Sequence, residues 1–345
     1  MKHLTILVLL FFFSCSEKEN LFQDDDPIDI ESGNTMKIGV LLNIHTPLSD
    51  KYHDDFIHPC VRYIPKGFAG HKWWLIVTPY YKNDNKLENP MLFYGDSNTD
   101  ETPPRDWTFV KLLEDTPADG YNSDPCLYFD GNKLWAFWRE NYTKACSENR
   151  CTRVTVGIYT LDAKIFSEKR VYAKETSTTS DSEMCPIIIN YKGNLKLYGS
   201  YYEFKPNRKN LGMAIWKLNG DLDNGSFSIE KLITPLKTNI DFWHFDIFEY
   251  KGSHYCVYTS EAASQIILGK SEDGVNFRFY KTPLLSDRVS GKRYFYKPSA
   301  MVLNGEFYLW HPCLEPSSIK TSKLWMSHAP FDRLIEALES RGFVE

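Results

Sequence analysis

Short stretches of alternating apolar and polar residues, separated by turn signals, make up most of the chain. Four segments share one pattern: an apolar strand, a two-residue turn that ends in glycine, and a second strand rich in aromatic residues. Their turn glycines are Gly131, Gly193, Gly252 and Gly305. Because glycine accepts the positive φ of a tight hairpin turn, each segment predicts a β-hairpin.

The hairpins recur at a period near sixty residues. Their turn glycines are 62, 59 and 53 residues apart, and one more period towards the N terminus reaches Gly70, in a hairpin with a longer turn. Further strand pairs lie between the hairpins, and four strands per repeat are typical of a propeller blade. We therefore predict an all-β fold: a single five-bladed β-propeller domain over residues 36–345, in which residues 37–42 supply a closing strand. Apolar residues at helical spacing predict a short closing helix at about residues 331–341.

The N terminus carries an export signal. An apolar run at residues 4–13 follows Lys2 and is too short to span a bilayer. Ser14-Cys15-Ser16 resembles a relaxed bacterial lipobox, which predicts a signal peptide at residues 1–14, lipidation of Cys15 and a flexible tether at residues 15–35. A plain signal peptide is the alternative. On the first interpretation the protein is exported and lipid-anchored in the outer membrane, facing the cell surface or the periplasm, and its lipid is its only membrane contact.

The charge and the aromatic content of the chain indicate which class of partner it binds. The net charge is −5, from 40 Lys and Arg against 45 Asp and Glu, so the chain has no basic field for a nucleic acid. Aromatic residues are abundant, with 22 Phe, 21 Tyr and 9 Trp. We expect most of them to pack blade against blade and a few to meet a ligand. A monomer is expected.

Cysteine spacing suggests one local disulfide. Cys146 and Cys151 lie in a polar stretch and are the disulfide candidate. Pairing among the other cysteines cannot be read from the sequence, and several of them are candidates for buried free thiols. No pair has metal-ligand spacing, so we expect no metal and no cofactor, and a structural calcium ion in the axial channel is not indicated.

Polar residues that could bind a substrate lie at the starts of the inner strands and at the ends of the second strands. Both positions lie at the same face of the propeller, because the first two strands of each blade are antiparallel. Glu88, at the start of a third strand, is a secondary candidate on the same face. The expected substrate-binding residues are His58, Tyr80, Arg139, Tyr202, Trp243, His244, Asp246, Glu261, Tyr296, Lys297 and His311.

Two short motifs resemble those of the five-bladed glycoside hydrolases of family 43. Ser123-Asp124-Pro125 resembles the second-blade motif of that family, and the resemblance implies that Asp124 orients and tunes the catalytic acid. Ser182-Glu183-Met184-Cys185-Pro186 resembles the third-blade motif, which implies that Glu183 is the general acid. The chain departs from the pattern in blade one, where His58 stands at the position of the general-base aspartate. Asp55, or less favourably Asp54, is the nearest replacement.

The resemblance implies an enzyme that hydrolyses a glycosidic bond of an oligosaccharide or polysaccharide. One carboxylic acid would protonate the leaving oxygen while one carboxylate activates water. Two alternatives stay open: a non-catalytic glycan-binding propeller that has lost its blade-one base, and a protein-interaction propeller.

Overall fold

The computed structural model describes residues 27–28, 34–97, 102–142, 151–177, 180–181, 186–203, 209–233, 242–260, 264–286, 294–314 and 321–344. Within these ranges, five sheets of mainly antiparallel strands are arranged as five blades, which confirms the predicted propeller. The first strand, β1 (Val40–Leu41), belongs to blade five. Blade one comprises β2 (Asn43–Ile44), β3 (Phe56–Phe68), β4 (His71–Pro79), β5 (Met91–Gly95) and β6 (Asp106–Leu112). Blade two comprises β7 (Gly120–Phe129), β8 (Leu134–Tyr142), β9 (Cys151–Thr160) and β10 (Arg170–Ser177).

The three remaining blades repeat this arrangement. Blade three comprises β11 (Ser180–Asp181), β12 (Ile187–Tyr191), β13 (Asn194–Glu203), β14 (Lys209–Asn219) and β15 (Ser226–Ile233). Blade four comprises β16 (Phe242–Tyr250), β17 (Ser253–Ser260), β18 (Gln265–Ser271), β19 (Arg278–Phe279) and β20 (Leu285–Ser286). Blade five comprises β21 (Tyr294–Phe295), β22 (Ser299–Leu303), β23 (Glu306–Leu314), β24 (Ser322–Pro330) and the N-terminal β1.

The innermost strands form a closed ring around the axis. Strand β3 contacts β7, β7 contacts β12, β12 contacts β16, β16 contacts β22, and β22 contacts β3 again. Residues at the start of these five strands are therefore neighbours in space although they are far apart in sequence. This ring is what gathers the candidate site.

The two ends of the chain close the propeller. Strand β1 pairs antiparallel with β24, and β2 pairs parallel with β6, so one N-terminal segment contributes outer strands to blades five and one. A four-residue helix, α1 (Ser49–Tyr52), precedes the first inner strand. The C-terminal helix α2 (Phe331–Arg341) buries Phe331, Leu334 and Leu338, which confirms the closing helix.

The hairpin turns have the conformation that the sequence predicts. Gly131, Gly193, Gly252 and Gly305 all have positive φ. In blade one the turn is as short as in the others, at residues 69–70, and the expected longer turn is absent. Instead, the extra residues are absorbed by a register shift in β3 between Tyr63 and Phe68.

Large aromatic side chains fill the space between blades. Trp73, Trp74, Trp135, Trp138 and Trp216 are almost fully buried, in agreement with a packing role for most of the aromatic residues. They provide large apolar areas at the blade interfaces, which is the main stabilising contribution in such a fold.

Some expectations concern residues that the structure leaves undescribed. The signal peptide, Cys15, most of the tether and Cys146 lie outside the described residues, and the side chain of Cys151 is not described. Among the described residues, no helix is long and apolar enough to cross a membrane.

Ring closure can be tested at Gly39. A Cβ added there would lie 1.9 Å from the Met326 carbonyl oxygen, so β1 could not keep its present distance from β24. We expect Gly39→Ala to lower the free energy of unfolding by about 2 kcal/mol, as for other overpacked sites, measured by urea denaturation. Gly193→Asn is the control, because its Cβ meets no atom within 4 Å and asparagine tolerates positive φ. Equal stability of Gly39→Ala and wild type would contradict this account of closure.

Candidate active site

Three side chains from three different blades meet near the axis. His58 comes from β3, Asp124 from β7 and His244 from β16, and one potential ligand atom of each lies within 4.8 Å of the others. We call these three residues the axial cluster. All three are buried, with exposed fractions of 3%, 0% and 3%.

One oxygen of Asp124 is the centre of the axial cluster. Its Oδ1 atom lies 3.5 Å from Nε2 of His58 and 3.2 Å from Nδ1 of His244. Among the described residues, His58 Nε2 has no hydrogen-bond partner, whereas His244 lies within hydrogen-bonding distance of Asp124 Oδ1. Buried polar atoms normally have partners, so the buried Nε2 atom, which faces a carboxylate oxygen, points to a bound species.

The backbone presents His58 and Asp124 in the same unusual way. Each precedes a proline, and each has a left-handed φ, 54° for His58 and 51° for Asp124. Each also lies where its strand loses register with the next one, between Ile57 and Cys60 in β3 and between Ser123 and Cys126 in β7. Such bulges re-aim a side chain, and this strained backbone concentrates at functional sites.

A second set of contacts holds Asp124 in place. Its Oδ2 atom accepts a hydrogen bond from Ser123 Oγ at 3.1 Å and lies 2.7 Å from Nη2 of Arg139. Arg139 also donates from Nε to Ser123 Oγ at 2.9 Å. Burial opposes ionisation of Asp124, but the positive charge of Arg139, with contributions from both histidines, holds the pKa of this carboxyl well below its usual range. Asp124 is therefore a carboxylate whose Oδ1 points at the two histidines.

His58 is oriented from its other nitrogen. Its Nδ1 atom lies 3.1 Å from Thr78 Oγ1 and 3.5 Å from Glu88 Oε2. Burial lowers the pKa of His58 well below its ordinary value, against the opposing charge of Asp124. A proton on Nδ1 would leave the lone pair of Nε2 facing the Asp124 carboxylate. Two electron-rich atoms facing each other in this way suit a cation between them.

Aromatic rings lie beside the axial cluster. The His58 ring lies 4.9 Å from the His244 ring and 5.8 Å from the Tyr296 ring. Tyr80 lies beside Tyr296, with ring centroids 5.5 Å apart. Burial raises the pKa of both phenols, so both are protonated hydrogen-bond donors at neutral pH. The structure thus brings the predicted Tyr80, Tyr296 and Arg139 to the axial cluster.

Glu88 has a more central position than its sequence context indicated. It is 5% exposed, and it is the described carboxylate other than Asp124 that lies within 3.5 Å of a cluster histidine. Burial, reinforced by the charge of Asp124, raises its pKa well above the usual value. Its sequence signal was only a polar start to a third strand, which is why it ranked as a secondary candidate.

Other predicted residues serve contacts away from the axial cluster. Asp55 accepts a hydrogen bond from the Ser322 backbone at 3.2 Å and lies 3.8 Å from Lys323 Nζ. Asp246 accepts from Ser299 Oγ at 2.9 Å, which ties blade four to blade five.

Two further predicted residues are also engaged in the protein interior. His311 lies 3.1 Å from Ser327 Oγ, and burial lowers its pKa to about 3. Lys297 donates to the Pro125 carbonyl at 2.7 Å. Asp55, Asp246 and His311 therefore have local partners that explain their burial without a substrate.

Several predicted residues cannot be placed. Glu183 and Glu261 lie outside the described residues, and the side chains of Tyr202 and Trp243 are not described although their strands are. The predicted roles of these four residues stay predictions.

Comparison with known proteins supports the fold. No protein-family profile and no curated protein sequence matches this chain. Among solved structures, an N-acetylgalactosamine deacetylase from F. plautii in complex with blood group B trisaccharide is similar, with a TM-score of 0.64 and 15% identity over 86% of this chain and 96% of the other. A GH43_1 enzyme from Xanthomonas citri has a TM-score of 0.58 and 10% identity over 83% and 90% of the two chains.

A further similar structure is a GH43 β-xylosidase/α-arabinofuranosidase from a compost microbial metagenome in complex with xylotriose. Its TM-score is 0.53, with 12% identity over 84% of this chain and 94% of that one. The expected resemblance to five-bladed family 43 hydrolases is thus confirmed for the fold. At these identities the similarity concerns the fold, and the chemistry must be argued from this chain's own side chains.

The ion pair between Arg139 and Asp124 predicts that the stability of the protein depends on pH. Because the folded-state pKa of Asp124 is depressed, its contribution to stability is present above the unfolded pKa and is lost as the pH falls through the folded pKa. In Arg139→Gln the pKa of Asp124 rises because burial is less opposed, so less of this contribution remains to be lost, and the difference in stability between wild type and the variant should be largest at neutral pH and should shrink as the pH falls. The variant's free energy of unfolding at pH 7 should fall by about 3 kcal/mol.

The measurement is the melting temperature across pH 3–8 in the presence of a chelator. Arg333→Gln, a change at an exposed arginine of α2, is the matched control. Superimposable pH profiles for Arg139→Gln and wild type would show that Arg139 does not set the ionisation of Asp124.

Proposed function

We propose that the protein is a metal-dependent hydrolase of glycans that removes the acetyl group from an N-acetylated sugar. The observation that carries the proposal is the axial cluster of His58, Asp124 and His244. The first solved structure reported above is a deacetylase of an N-acetylated sugar, and it supports this choice of substrate class.

The geometry of the axial cluster suits a divalent cation. Two ligands that each lie about 2.1 Å from a metal are roughly 3.0 to 3.4 Å apart in octahedral or tetrahedral coordination. The distances of 3.5 Å and 3.2 Å from Asp124 Oδ1 to the two histidine nitrogens are close to this range. Two imidazoles and one carboxylate favour Zn²⁺ or a similar transition metal and leave positions open for water and substrate.

Residues around the axial cluster fix the orientation of the Asp124 and His58 side chains. Arg139 and Ser123 occupy Oδ2 of Asp124, which directs Oδ1 towards the metal position. Thr78 and Glu88 face Nδ1 of His58, which directs Nε2 the same way. Outer contacts of this kind are typical of metal-binding histidines and carboxylates.

Amide hydrolysis requires a water molecule, a proton acceptor and hydrogen-bond donors. A bound divalent cation would polarise the acetyl carbonyl and make water a better nucleophile. Glu88 faces Nδ1 of His58, away from the metal position, so it orients that ligand, and the proton of the attacking water passes to solvent, from which the leaving nitrogen is protonated. Tyr296, which accepts a hydrogen bond from Tyr80, donates its own hydroxyl proton to the substrate. A carbon–oxygen bond forms and the carbon–nitrogen bond breaks, giving acetate and the free amino sugar.

An open groove between blades one and two provides room for more than one sugar residue. It has a volume of about 730 Å³ and lies between the loop that follows β4 and the loop that precedes β7. Asn83, Asn85, Lys86 and Tyr121 are among its lining residues, which offer hydrogen bonds and an aromatic ring. This supports an oligosaccharide or polysaccharide as the substrate.

Hydrolysis of a glycosidic bond is the second candidate. The similarity to family 43 structures in fold, together with the buried Asp124 in blade two, favours it. It requires a blade-one carboxylate, and here that position holds His58 while Asp55 bonds to Ser322. The metal-dependent reaction uses the residues that meet at the axis, so we prefer it.

The proposal includes the location of the protein. The apolar run at residues 4–13 and the following Cys15 support export and lipid anchoring in the outer membrane. There the site would meet extracellular or periplasmic glycans.

Metal binding gives the first test of the proposal. The purified protein should bind about one divalent metal per chain, and His58→Ala and His244→Ala should each lower the affinity at least 100-fold, as expected when one of three protein ligands is lost. Metal content by mass spectrometry and titration calorimetry measure this. His254→Ala, at another buried histidine, is the matched control and should bind metal like wild type. If the wild-type protein binds no metal in the presence of micromolar Zn²⁺ or Mn²⁺, the proposal is refuted.

The products of the reaction give the second test. With N-acetylated host and bacterial glycans, the protein should release acetate and no new reducing ends. Glu88→Gln should lower the metal affinity by about 10-fold to 100-fold, the usual effect of changing a contact that orients a metal ligand. A fall in kcat of about 10² or more at unchanged metal content would instead assign Glu88 a role in proton transfer. Release of reducing ends without acetate would favour the second candidate.

A further inference from the structure

Two buried thiols face each other directly beneath the axial cluster. Sγ of Cys60 lies 3.9 Å from Sγ of Cys126, and both residues are free thiols with exposed fractions of 2% and 0%. The Leu127 backbone donates a hydrogen bond to Cys60 Sγ at 3.1 Å, and a guanidinium nitrogen of Arg62 lies 3.8 Å from Cys126 Sγ. These contacts hold the two sulfur atoms at the interface of blades one and two.

The pair has a fixed relation to the axial cluster. Cys60 follows His58 by two residues on β3, and Cys126 follows Asp124 by two residues on β7. Strands β3 and β7 are neighbours in the innermost ring. A bond between the two sulfur atoms would therefore join the strands that carry two of the three cluster residues.

We propose that Cys60 and Cys126 form a disulfide that links blades one and two and fixes the spacing of His58 and Asp124. A disulfide needs sulfur atoms about 2.05 Å apart. The two sulfur atoms are 3.9 Å apart, so they must approach each other by about 1.9 Å for the bond to form. The proposal uses the expected export to an oxidising compartment, and it is independent of the reaction that the site catalyses.

The oxidation proceeds by thiol–disulfide exchange with an external disulfide. One cysteine attacks a sulfur of the external disulfide, giving a mixed disulfide and releasing one thiol. The second cysteine then attacks the protein sulfur of the mixed disulfide, which forms the Cys60–Cys126 bond and releases the second thiol. Overall the two cysteines give up two electrons and two protons, and the external disulfide takes up both and becomes two thiols. Because both thiols are buried in the folded chain, the exchange should occur while the chain folds.

The link should stabilise the fold measurably. It would close a loop between residues 66 positions apart. Loops of this length restrict the unfolded chain strongly, and the expected rise in melting temperature is on the order of 5 to 10 °C.

The test compares the full chain refolded in a mixture of reduced and oxidised glutathione with the same chain refolded in a strong reductant. Alkylation in denaturant followed by peptide mass mapping should find Cys60 and Cys126 joined, two mass units below the reduced pair, in the first sample only. The melting temperature should be higher in that sample. Cys126→Ala should abolish both effects, and Cys256→Ala, at another buried thiol, should leave both intact.

The outcomes separate this proposal from the proposed function. The link should also form in His244→Ala, where a cluster residue is lost, so a failed metal test does not affect it. Complete alkylation of Cys60 and Cys126 after oxidative refolding, or their pairing with other cysteines, would overturn the proposal. Cys60→Ala serves in place of Cys126→Ala if the latter does not fold.

Discussion

A single buried carboxylate organises the centre of this protein. Asp124 lies fully buried at the axis and is ionised, because Arg139 and Ser123 hold one of its oxygens. A buried charge is costly unless it is paired, so the surrounding groups must compensate it. The other oxygen faces two histidines from other blades, and this meeting of one carboxylate oxygen with two imidazole nitrogens makes the arrangement suitable for a cation.

The propeller fold is what brings these groups together. Each blade begins with an inner strand at the same face, so residues 58, 124 and 244 become neighbours only when the ring closes. The bulged, left-handed backbone at His58 and Asp124 then aims both side chains into the axis. Two of the solved structures with this fold have different activities, a deacetylase and a β-xylosidase/α-arabinofuranosidase, which agrees with the rule that chemistry depends on the side chains placed on a fold.

The fold could be predicted from the sequence because the sequence features that determine it are local. Apolar alternation and turn glycines such as Gly193 and Gly252 act within a few residues, and their repetition defines the blades. His58, Asp124 and His244 were each identified as candidates from their place at inner-strand starts. Their meeting around one carboxylate oxygen was not, because it depends on contacts between residues up to 186 positions apart.

Other parts of the site lacked a signal for the same reason. Glu88 precedes a third strand, and its approach to His58 depends on how the loop after β4 folds back. Asp246 and His311 have the polarity and position of ligand-contacting residues, yet the structure shows them bonded to Ser299 and Ser327. A sequence pattern places a residue at an edge of a strand, but it does not show which neighbour already satisfies it.

The central claim is that the axial cluster holds a divalent metal ion. Crystals grown with Mn²⁺ and measured at a wavelength where manganese scatters anomalously test it most directly. The account predicts one strong anomalous peak about 2.1 Å from His58 Nε2, Asp124 Oδ1 and His244 Nδ1. A well-ordered site with no peak there, or with a hydrogen-bonded water in its place, would contradict it.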